Sequence, residues 1–338
     1  RALQAMTEWE WRLDGLTWVS VLGSGSFGTV YRVHYGDEIL AAKKVRAPQS
    51  EHDYEARSEM EALETEFRAL KKLNHPHIVK LFGVVRDETM MSLLMELADN
   101  GSLRQMLDAH PEAILGSTEV QISLAFDIAS GLAFCHIQTP QPLLHKDIKA
   151  ANVLLFSHDA HGQPRLTAKL SDFGIAVGVS GTTTRGLTGR SVTNAAGGTL
   201  AYKAPENFRG LYTQESEVYS YAIVLSEILT GQRPWHRDAN GTPYMDEHLM
   251  SLVTLSKKRP EVPKNIRLQN KVLATLMTRC WDHIRTKRPN FTSIVLELSK
   301  KMPPRPQPRV MSREEEEAQL ASEQQREASE ISLVIASS

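Results

Sequence analysis

The sequence has few cysteines, no long apolar run and no excess of either charge. Its 338 residues include only two cysteines, Cys135 and Cys280, which lie too far apart to form a CxxC motif. No apolar stretch approaches the roughly 18 residues of a membrane span. The 39 Lys and Arg balance 40 Asp and Glu, so net charge does not draw the chain to nucleic acid or anionic membranes. We therefore expect a cytoplasmic protein with reduced thiols, without a membrane span and without a nucleic-acid partner.

The chain does contain enough apolar residues for two sizeable cores. Hydrophobic residues make up 41% of it, which is ordinary for a globular protein, and its length allows two domains or lobes. Periodicity predicts strands over 17–22, 29–35, 39–45, 79–85 and 92–97, and helices over 56–73, 103–109, 119–136, 216–229 and 271–280. We predict an N-terminal extension (1–15), a strand-rich lobe (16–98), a larger helical lobe (99–302) and a proline-rich, acidic tail (303–338).

A glycine-rich segment joins the first two predicted strands. Residues 23–30 read GSGSFGTV and carry the pattern GxGxxGxV. A dinucleotide-binding turn would continue into a helix, but the β-type run TVYRV follows here, and no GxxxxGK[ST] phosphate loop is present. The pattern predicts a strand–loop–strand flap over nucleotide phosphates. On the next strand, Lys43 is either a phosphate ligand or a solvated strand lysine.

Three more motifs follow in order along the chain. They are HKDIKAAN at 145–152, DFG at 172–174 and APE at 204–206. Together with the glycine-rich segment, this set resembles the signature of the eukaryotic protein kinases over residues 16–302. The resemblance implies the α+β, two-lobed protein kinase fold, with an antiparallel sheet and one helix in the N-lobe and a mostly helical C-lobe. It also implies phosphoryl transfer from ATP with Mg²⁺, or Mn²⁺ as the alternative metal.

The resemblance assigns four catalytic residues. Asp147 accepts the proton of the substrate hydroxyl or orients that hydroxyl, and Lys149 steadies the transferring phosphoryl group. Lys43 holds the α- and β-phosphates and forms an ion pair with Glu66 on the predicted helix. The register favours Glu66 for this pair, and Glu64 is the alternative. A third possibility is that these glutamates form only a solvated face of the helix.

The resemblance also assigns the metal and nucleotide sites. Asn152 and Asp172 supply oxygen ligands to the metal, the donor type that Mg²⁺ prefers. Met95 is the residue beside the adenine pocket, and the backbones of Glu96 and Ala98 bind adenine. The implied nucleotide-binding residues are Leu22, Gly23, Gly25, Gly28, Val30, Ala41, Lys43, Met95, Glu96, Ala98 and Leu154.

Two sets of motifs bear on whether serine and threonine or tyrosine hydroxyls are phosphorylated. Lys149, two residues after Asp147, and GTLAYKAPE at 198–206 resemble serine/threonine kinases, whereas GLAFCH at 131–136 and CWD at 280–282 resemble tyrosine kinases. The mixture resembles the tyrosine-kinase-like group, which mostly phosphorylates serine and threonine. We therefore expect a signalling serine/threonine kinase whose protein substrates dock at Thr199–Glu206.

Two departures from the family pattern leave an alternative open. Lys146 stands where arginine is usual, which predicts a weaker clamp on a phosphate in the activation segment, residues 172–206. Glu217 replaces an aspartate. The alternative is a catalytically weak pseudokinase or scaffold that binds nucleotide and protein partners. The activation segment also contains hydroxyls that are either regulatory phosphosites or incidental: Ser180, Thr182, Thr183, Thr184, Thr188, Ser191 and Thr193.

The tail carries one candidate partner motif. KKMPPRP at 300–306 matches a basic-xxPxxP pattern for a polyproline-recognition domain, although a plain linker is the favoured interpretation. Because the first residue is Arg1, we expect the chain to be part of a longer protein.

Overall fold

A computed structural model describes residues 9–25, 28–159, 164–178, 184–185, 199–235 and 244–302. The chain divides into two units, Arg1–Lys301 and Met302–Ser338, and the fold below belongs to the first. The predicted tail and most of the activation-segment hydroxyls, at 180–183 and 188–193, lie outside the described residues. In the described part of the chain, no helix is both long and apolar enough to cross a membrane.

The N-terminal lobe is built on a five-stranded antiparallel sheet in the order β1-β2-β3-β5-β4. Every predicted strand is present, with ends shifted by three residues at most. The strands are β1 (Leu16–Gly25), β2 (Gly28–Tyr35), β3 (Glu38–Arg46), β4 (Leu81–Arg86) and β5 (Met90–Glu96). The lobe core lies on the sheet, where Val33, Leu40, Ala42, Val85 and Leu94 are buried among aromatic side chains.

One helix, α1 (Tyr54–Leu70), crosses this sheet. It begins where the Asp53 carboxylate accepts a hydrogen bond from the Ala56 N–H, at 3.4 Å, and Asp53 also pairs with Arg46 of β3. It ends three residues before the predicted end at 73, because i→i−3 bonds tighten the chain beyond Leu70 ahead of Pro76. Its buried face includes Glu66, so the helix delivers a carboxylate into the interior.

The C-terminal lobe is mainly helical, as predicted. Helices α2 and α8 have the predicted ends, and α4 and α5 extend the predicted ones by one or two residues. Helix α5 is buried on nearly all sides, which explains why its sequence has little amphipathic pattern. The helices are α2 (Leu103–Ala109), α3 (Glu112–Leu115), α4 (Thr118–His136), α5 (Gln214–Thr230), α6 (Asp246–Thr254), α7 (Lys264–Gln269), α8 (Lys271–Cys280) and α9 (Phe291–Ser299).

Short antiparallel strand pairs complete this lobe and were not predicted. The main pair is β7 (Val153–Asp159) with β8 (Pro164–Leu170), which borders residues 97–101, the connector between the lobes. The Leu155 N–H donates to the Gly101 carbonyl at 2.8 Å, and the Asn100 N–H donates to the Leu155 carbonyl at 3.2 Å. The other pairs are β6 (Leu143–Leu144) with β9 (Val177–Gly178), and β10 (Thr184–Arg185) with β11 (Leu211–Tyr212).

Candidate active site

Lys43, Glu66 and Asp172 form a charge triad between the lobes. The Lys43 Nζ lies 2.6 Å from Glu66 Oε2 and 2.7 Å from Asp172 Oδ1. The Lys43 and Glu66 side chains are 8% and 1% exposed, whereas that of Asp172 is 22% exposed and borders the cleft. Of the two carboxylates considered for Lys43, the geometry selects Glu66. Glu64 instead lies 3.9 Å from Arg68 on the exposed helix face.

The electrostatics of the triad follow from burial and charge. Burial lowers the pKa of Lys43, but the charges of Glu66 and Asp172 outweigh it and raise that pKa. Burial raises the pKa of Glu66. Burial also acts to raise the pKa of Asp172, but the attraction and hydrogen bond of Lys43 hold it below its ordinary value. The lysine is therefore a fixed cation at neutral pH, and Asp172 a fixed anion.

A second cluster surrounds Asp147 in the HKDIKAAN loop. Its Oδ2 lies 2.6 Å from Lys149 Nζ and accepts a hydrogen bond from Asn152 Nδ2 at 3.0 Å. Its Oδ1 accepts from the backbone N–H of Thr199 at 2.9 Å. Lys149 Nζ also donates to the Thr199 hydroxyl at 3.1 Å, so the segment before APE is joined to the loop. The structure therefore brings the side chains of Asp147, Lys149, Asn152 and Thr199 together.

His145 and Phe173 join the two clusters. His145 is fully buried, with its Nε2 2.9 Å from the Ser171 carbonyl and its Nδ1 accepting from the Asp147 N–H at 3.3 Å. Its ring centroid lies 4.5 Å from that of Phe173. These contacts pack His145 between its own loop and the DFG segment. The two clusters also act on each other electrostatically, because the charge of Lys149 helps Lys43 to lower the pKa of Asp172.

The N-lobe sheet brings several predicted nucleotide-binding residues together. Val30 pairs with Lys43 between β2 and β3, and Ala41 pairs with Met95 between β3 and β5. Ala41 and Met95 are buried, with 8% and 7% exposure. These residues therefore lie on neighbouring strands of the sheet close to Lys43.

The glycine-rich segment is a hairpin in the described residues. Gly25 pairs with Gly28, while residues 26–27 lie outside the described part. Gly28 has φ +104°, and a Cβ there would lie 2.6 Å from the Lys44 carbonyl oxygen, so only glycine fits. A Cβ at Gly23 would meet nothing within 4 Å, and Leu22 beside it is 40% exposed. Gly23 is therefore on the exposed part of the hairpin, and no steric contact in the structure requires glycine there.

The connector between the lobes, residues 97–101, follows directly on Met95 and Glu96 at the end of β5. Ala98 is half-buried on it, and Leu154 of β7 is bridged to Ser102 just beyond it. Glu96 also reaches this hairpin, because its carboxylate lies 2.6 Å from Lys169 Nζ, and Lys169 is the β8 partner of Leu154. The predicted pocket residues thus meet from both lobes.

The two departures from the family pattern have clear positions. Lys146 has φ +68°, and its backbone N–H donates to Glu217 Oε1 at 2.7 Å. The other Glu217 oxygen lies 2.6 Å from His136 Nε2, a contact that motif spacing did not indicate. The longer glutamate therefore still holds the catalytic-loop backbone. The Lys146 Nζ lies 5.2 Å from the Tyr212 ring centroid, and burial lowers the pKa of Lys146.

These positions give opposite expectations for the two loop lysines. Lys146→Met removes an ammonium stacked on Tyr212, so we expect kcat to change by less than about threefold and stability to fall by about 1 kcal/mol. Lys149→Met removes the cation beside Asp147, so kcat should fall at least about 100-fold. Steady-state kinetics and thermal unfolding of both variants check this pair. Equal losses of kcat would contradict it.

The segment over Thr199–Glu206 is held by the C-lobe. The Tyr202 hydroxyl donates to Glu227 at 2.8 Å, and the Trp235 Nε1 donates to the Ala201 carbonyl at 3.2 Å. Glu206 accepts two hydrogen bonds from Arg288, at 2.6 and 3.1 Å. These contacts fix the segment over Thr199–Glu206, called here the shelf, beside Asp147.

The geometry of these clusters agrees with the comparison to known proteins. Residues 16–297 match the family model of the protein kinase domain. The chain belongs to the protein kinase family. The predicted family resemblance and the predicted two-lobed fold are therefore confirmed, and ATP, a divalent metal and protein substrates are what such a kinase domain uses.

Individual relatives of this kinase domain include named serine/threonine and dual-specificity kinases. It is 31% identical over 275 residues to serine/threonine-protein kinase CTR1 of Arabidopsis thaliana, covering 81% of this chain and 30% of the relative. It is 29% identical over 305 residues to dual specificity protein kinase splA of Dictyostelium discoideum, covering 88% and 12%. It is 31% identical over 276 residues to mitogen-activated protein kinase kinase kinase 7 of Homo sapiens, covering 81% and 40%. The chain thus spans less than half the length of these relatives.

Proposed function

We propose that this kinase domain transfers the γ-phosphoryl group of Mg·ATP to serine or threonine hydroxyls of protein substrates. The observation that carries the proposal is the meeting of two charge clusters in one cleft. Lys43 and Asp172 lie on one side of it, and Asp147 with Lys149 on the other. Phosphoryl transfer needs alignment and charge neutralisation more than covalent help, and these four groups supply both.

Each residue of the site has a role that its contacts support. Asp147 orients the substrate hydroxyl and takes its proton, while the neighbouring Lys149 neutralises charge on the transferring group. Lys43, fixed between two carboxylates, holds phosphate oxygens. Glu66 keeps Lys43 in that position, since its side chain is buried and lies 2.6 Å from the Lys43 ammonium.

The donor set at the cleft fits a Mg²⁺ ion. Asn152 offers an amide and Asp172 a partly exposed carboxylate, and Mg²⁺ in proteins commonly takes one or two such ligands together with phosphate oxygens. Mn²⁺ accepts the same oxygen donors. When bound, the metal neutralises phosphate charge, and Asn152 and Asp172 would hold it beside the Lys43 ammonium.

The preference for serine or threonine rests on the shelf and on the relatives. Thr199 joins the shelf to both Asp147 and Lys149, at 2.9 and 3.1 Å, an arrangement that follows from the GTLAYKAPE motif. Two of the relatives above carry serine/threonine kinase or kinase-kinase names, and one is named a dual-specificity kinase. Nothing in the described residues favours the pseudokinase alternative, because Glu217 keeps its contact and every charged group is in place.

Mass spectrometry after incubation with Mg·ATP and a generic protein substrate tests the proposal. We expect phosphoserine and phosphothreonine with wild type and none above background with Asp147→Asn, which keeps the size of the side chain. Equal phosphorylation by the two proteins would refute the proposed transfer. Phosphotyrosine alone would refute the proposed hydroxyl preference, and both kinds together would indicate dual specificity.

Three other expectations stay predictions. The polyproline partner at 300–306 depends mainly on residues outside the described part. The cytoplasmic location is supported by Cys135 and Cys280, which are free and buried, and whose pKa values burial raises. The boundaries at residues 15/16, 98/99 and 302/303 are proposed from composition and motifs.

A further inference from the structure

Residues 9–12, called here the N-terminal strap, lie on the kinase domain although they precede the family match at 16–297. The strap runs along β4, which is an edge strand of the sheet. The Val84 N–H donates to the Trp9 carbonyl at 2.8 Å, and the Trp11 N–H donates to the Val84 carbonyl at 2.9 Å. The strap therefore supplies partners to an edge strand that would otherwise be open.

Side chains fix the strap in this place. The Trp11 ring lies 4.6 Å from that of Tyr35, and Glu10 pairs with Arg86. The strap approaches β4 at Gly83, where a Cβ would lie 2.5 Å from the Trp11 Nε1 and 2.9 Å from the Trp9 carbonyl oxygen. A side chain at position 83 would therefore push the strap away, and glycine admits it.

Trp9 carries the contact on to helix α1. Its ring packs edge-on against Phe67, with centroids 6.5 Å apart and an interplanar angle of 79°. The Lys71 Nζ, at the C-terminal end of α1, lies 5.9 Å from the same ring. Phe67 is the residue directly after Glu66. The strap thus connects the edge of the sheet to the turn of α1 that bears the Glu66 carboxylate.

The position of α1 matters because Glu66 must reach Lys43 over a 2.6 Å contact. The N-terminal end of the helix is held to the sheet by Asp53 and Arg46, and Trp9 holds its C-terminal end. We propose that Trp9 is a positioning residue, which keeps α1 placed so that Glu66 pairs with Lys43. The inference rests on the phosphoryl transfer proposed above and adds a determinant from outside the family-matched segment.

Kinetics of Trp9→Ala and Trp9→Phe test this role. We expect Trp9→Ala to lower kcat about fivefold, since an aromatic pair contributes modestly to a conformational preference, and Trp9→Phe to restore most of it. Trp18→Ala is the matched control, because Trp18 packs on Tyr31 and Lys44 and not on α1. Wild-type kcat in Trp9→Ala, or the same loss in Trp18→Ala, would overturn the proposal.

A second arm separates positioning from general stability. With Glu66→Gln already present, Trp9→Ala should lower the melting temperature as before but leave kcat unchanged, since the pair it positions is gone. An undiminished loss of kcat in that background would overturn the role. Hydrogen exchange of residues 54–70 gives a readout without activity, and we expect it to rise in Trp9→Ala and not in Trp18→Ala. If wild type transfers no phosphoryl group, the proposed function fails, while unchanged exchange would still refute the positioning role separately.

Discussion

We expect Lys43→Met to lower kcat at least about 100-fold and to destabilise the domain in a pH-dependent way. Methionine keeps the bulk of the side chain but removes the ammonium that contacts both Glu66 and Asp172. The Glu66 side chain, 1% exposed, then loses its cation in a buried site, which costs about 3–5 kcal/mol at neutral pH. Asp172 is 22% exposed, so water compensates it in part.

The sign of the pH effect follows from Glu66. Burial raises its pKa, and the loss of Lys43 removes the attraction and the side-chain hydrogen bond that oppose that rise, leaving the backbone hydrogen bond from Phe173. A group whose pKa is raised on folding adds stability while it is protonated and loses that stability as the pH climbs through its folded pKa. The deficit of Lys43→Met relative to wild type should therefore be smallest near about pH 5 and grow towards about pH 8.

The double variant Lys43→Met/Glu66→Gln is the matched control. Glutamine replaces the buried carboxylate by a neutral amide. The stability deficit of the double variant should therefore be nearly independent of pH, while its kcat stays low. Denaturant unfolding at several pH values measures both variants. A deficit of Lys43→Met that shrinks as the pH rises would contradict the assignment to Glu66.

Arg288→Met should produce the largest loss of stability in the C-lobe. The Arg288 side chain is fully buried and donates to both carboxylate oxygens of Glu206, to the Glu215 carbonyl at 2.9 Å and to the Asp282 carbonyl at 2.8 Å. Its removal leaves a nearly buried carboxylate and two carbonyls without these donors. We expect a loss of about 3–5 kcal/mol and a melting temperature lower by about 10 °C.

Arg279→Met is the control for Arg288→Met. Arg279 also forms an ion pair, at 2.5 Å from Glu297, but the two side chains are 46% and 38% exposed. Solvent screens such a pair, so its loss should cost at most about 1 kcal/mol. Calorimetry of both variants decides the comparison. Similar melting temperatures for the two variants would show that the burial of the Arg288–Glu206 pair does not determine the loss of stability.

Local patterns predicted the elements well where one principle dominated. The strands of the N-lobe are short and largely apolar runs, such as β5, which is buried at six successive positions, and apolar residues recur at helical spacing in α2 and α8, so the positions of these elements matched closely. The β7–β8 hairpin was not predicted, because its strands are defined by pairing with each other and with the connector around Gly101. The end of α1 differed because i→i−3 bonds beyond Leu70, ahead of Pro76, end the helix there, although the apolar periodicity continues to Leu73.

The sequence by itself determined the family, the two-lobed fold and the identity of the charged groups, since spacing along the chain records the types of residue that the chemistry needs. It left both Glu64 and Glu66 open as partners of Lys43, and it gave Trp9 no role. The partners of these contacts, Lys43 and Phe67, are far from Glu66 and Trp9 in the sequence. Only the tertiary structure decided that Glu66 meets Lys43, that Glu217 reaches both Lys146 and His136, and that the strap lies against α1. Which groups touch depends on how helix and sheet pack, and packing is a property of the whole chain.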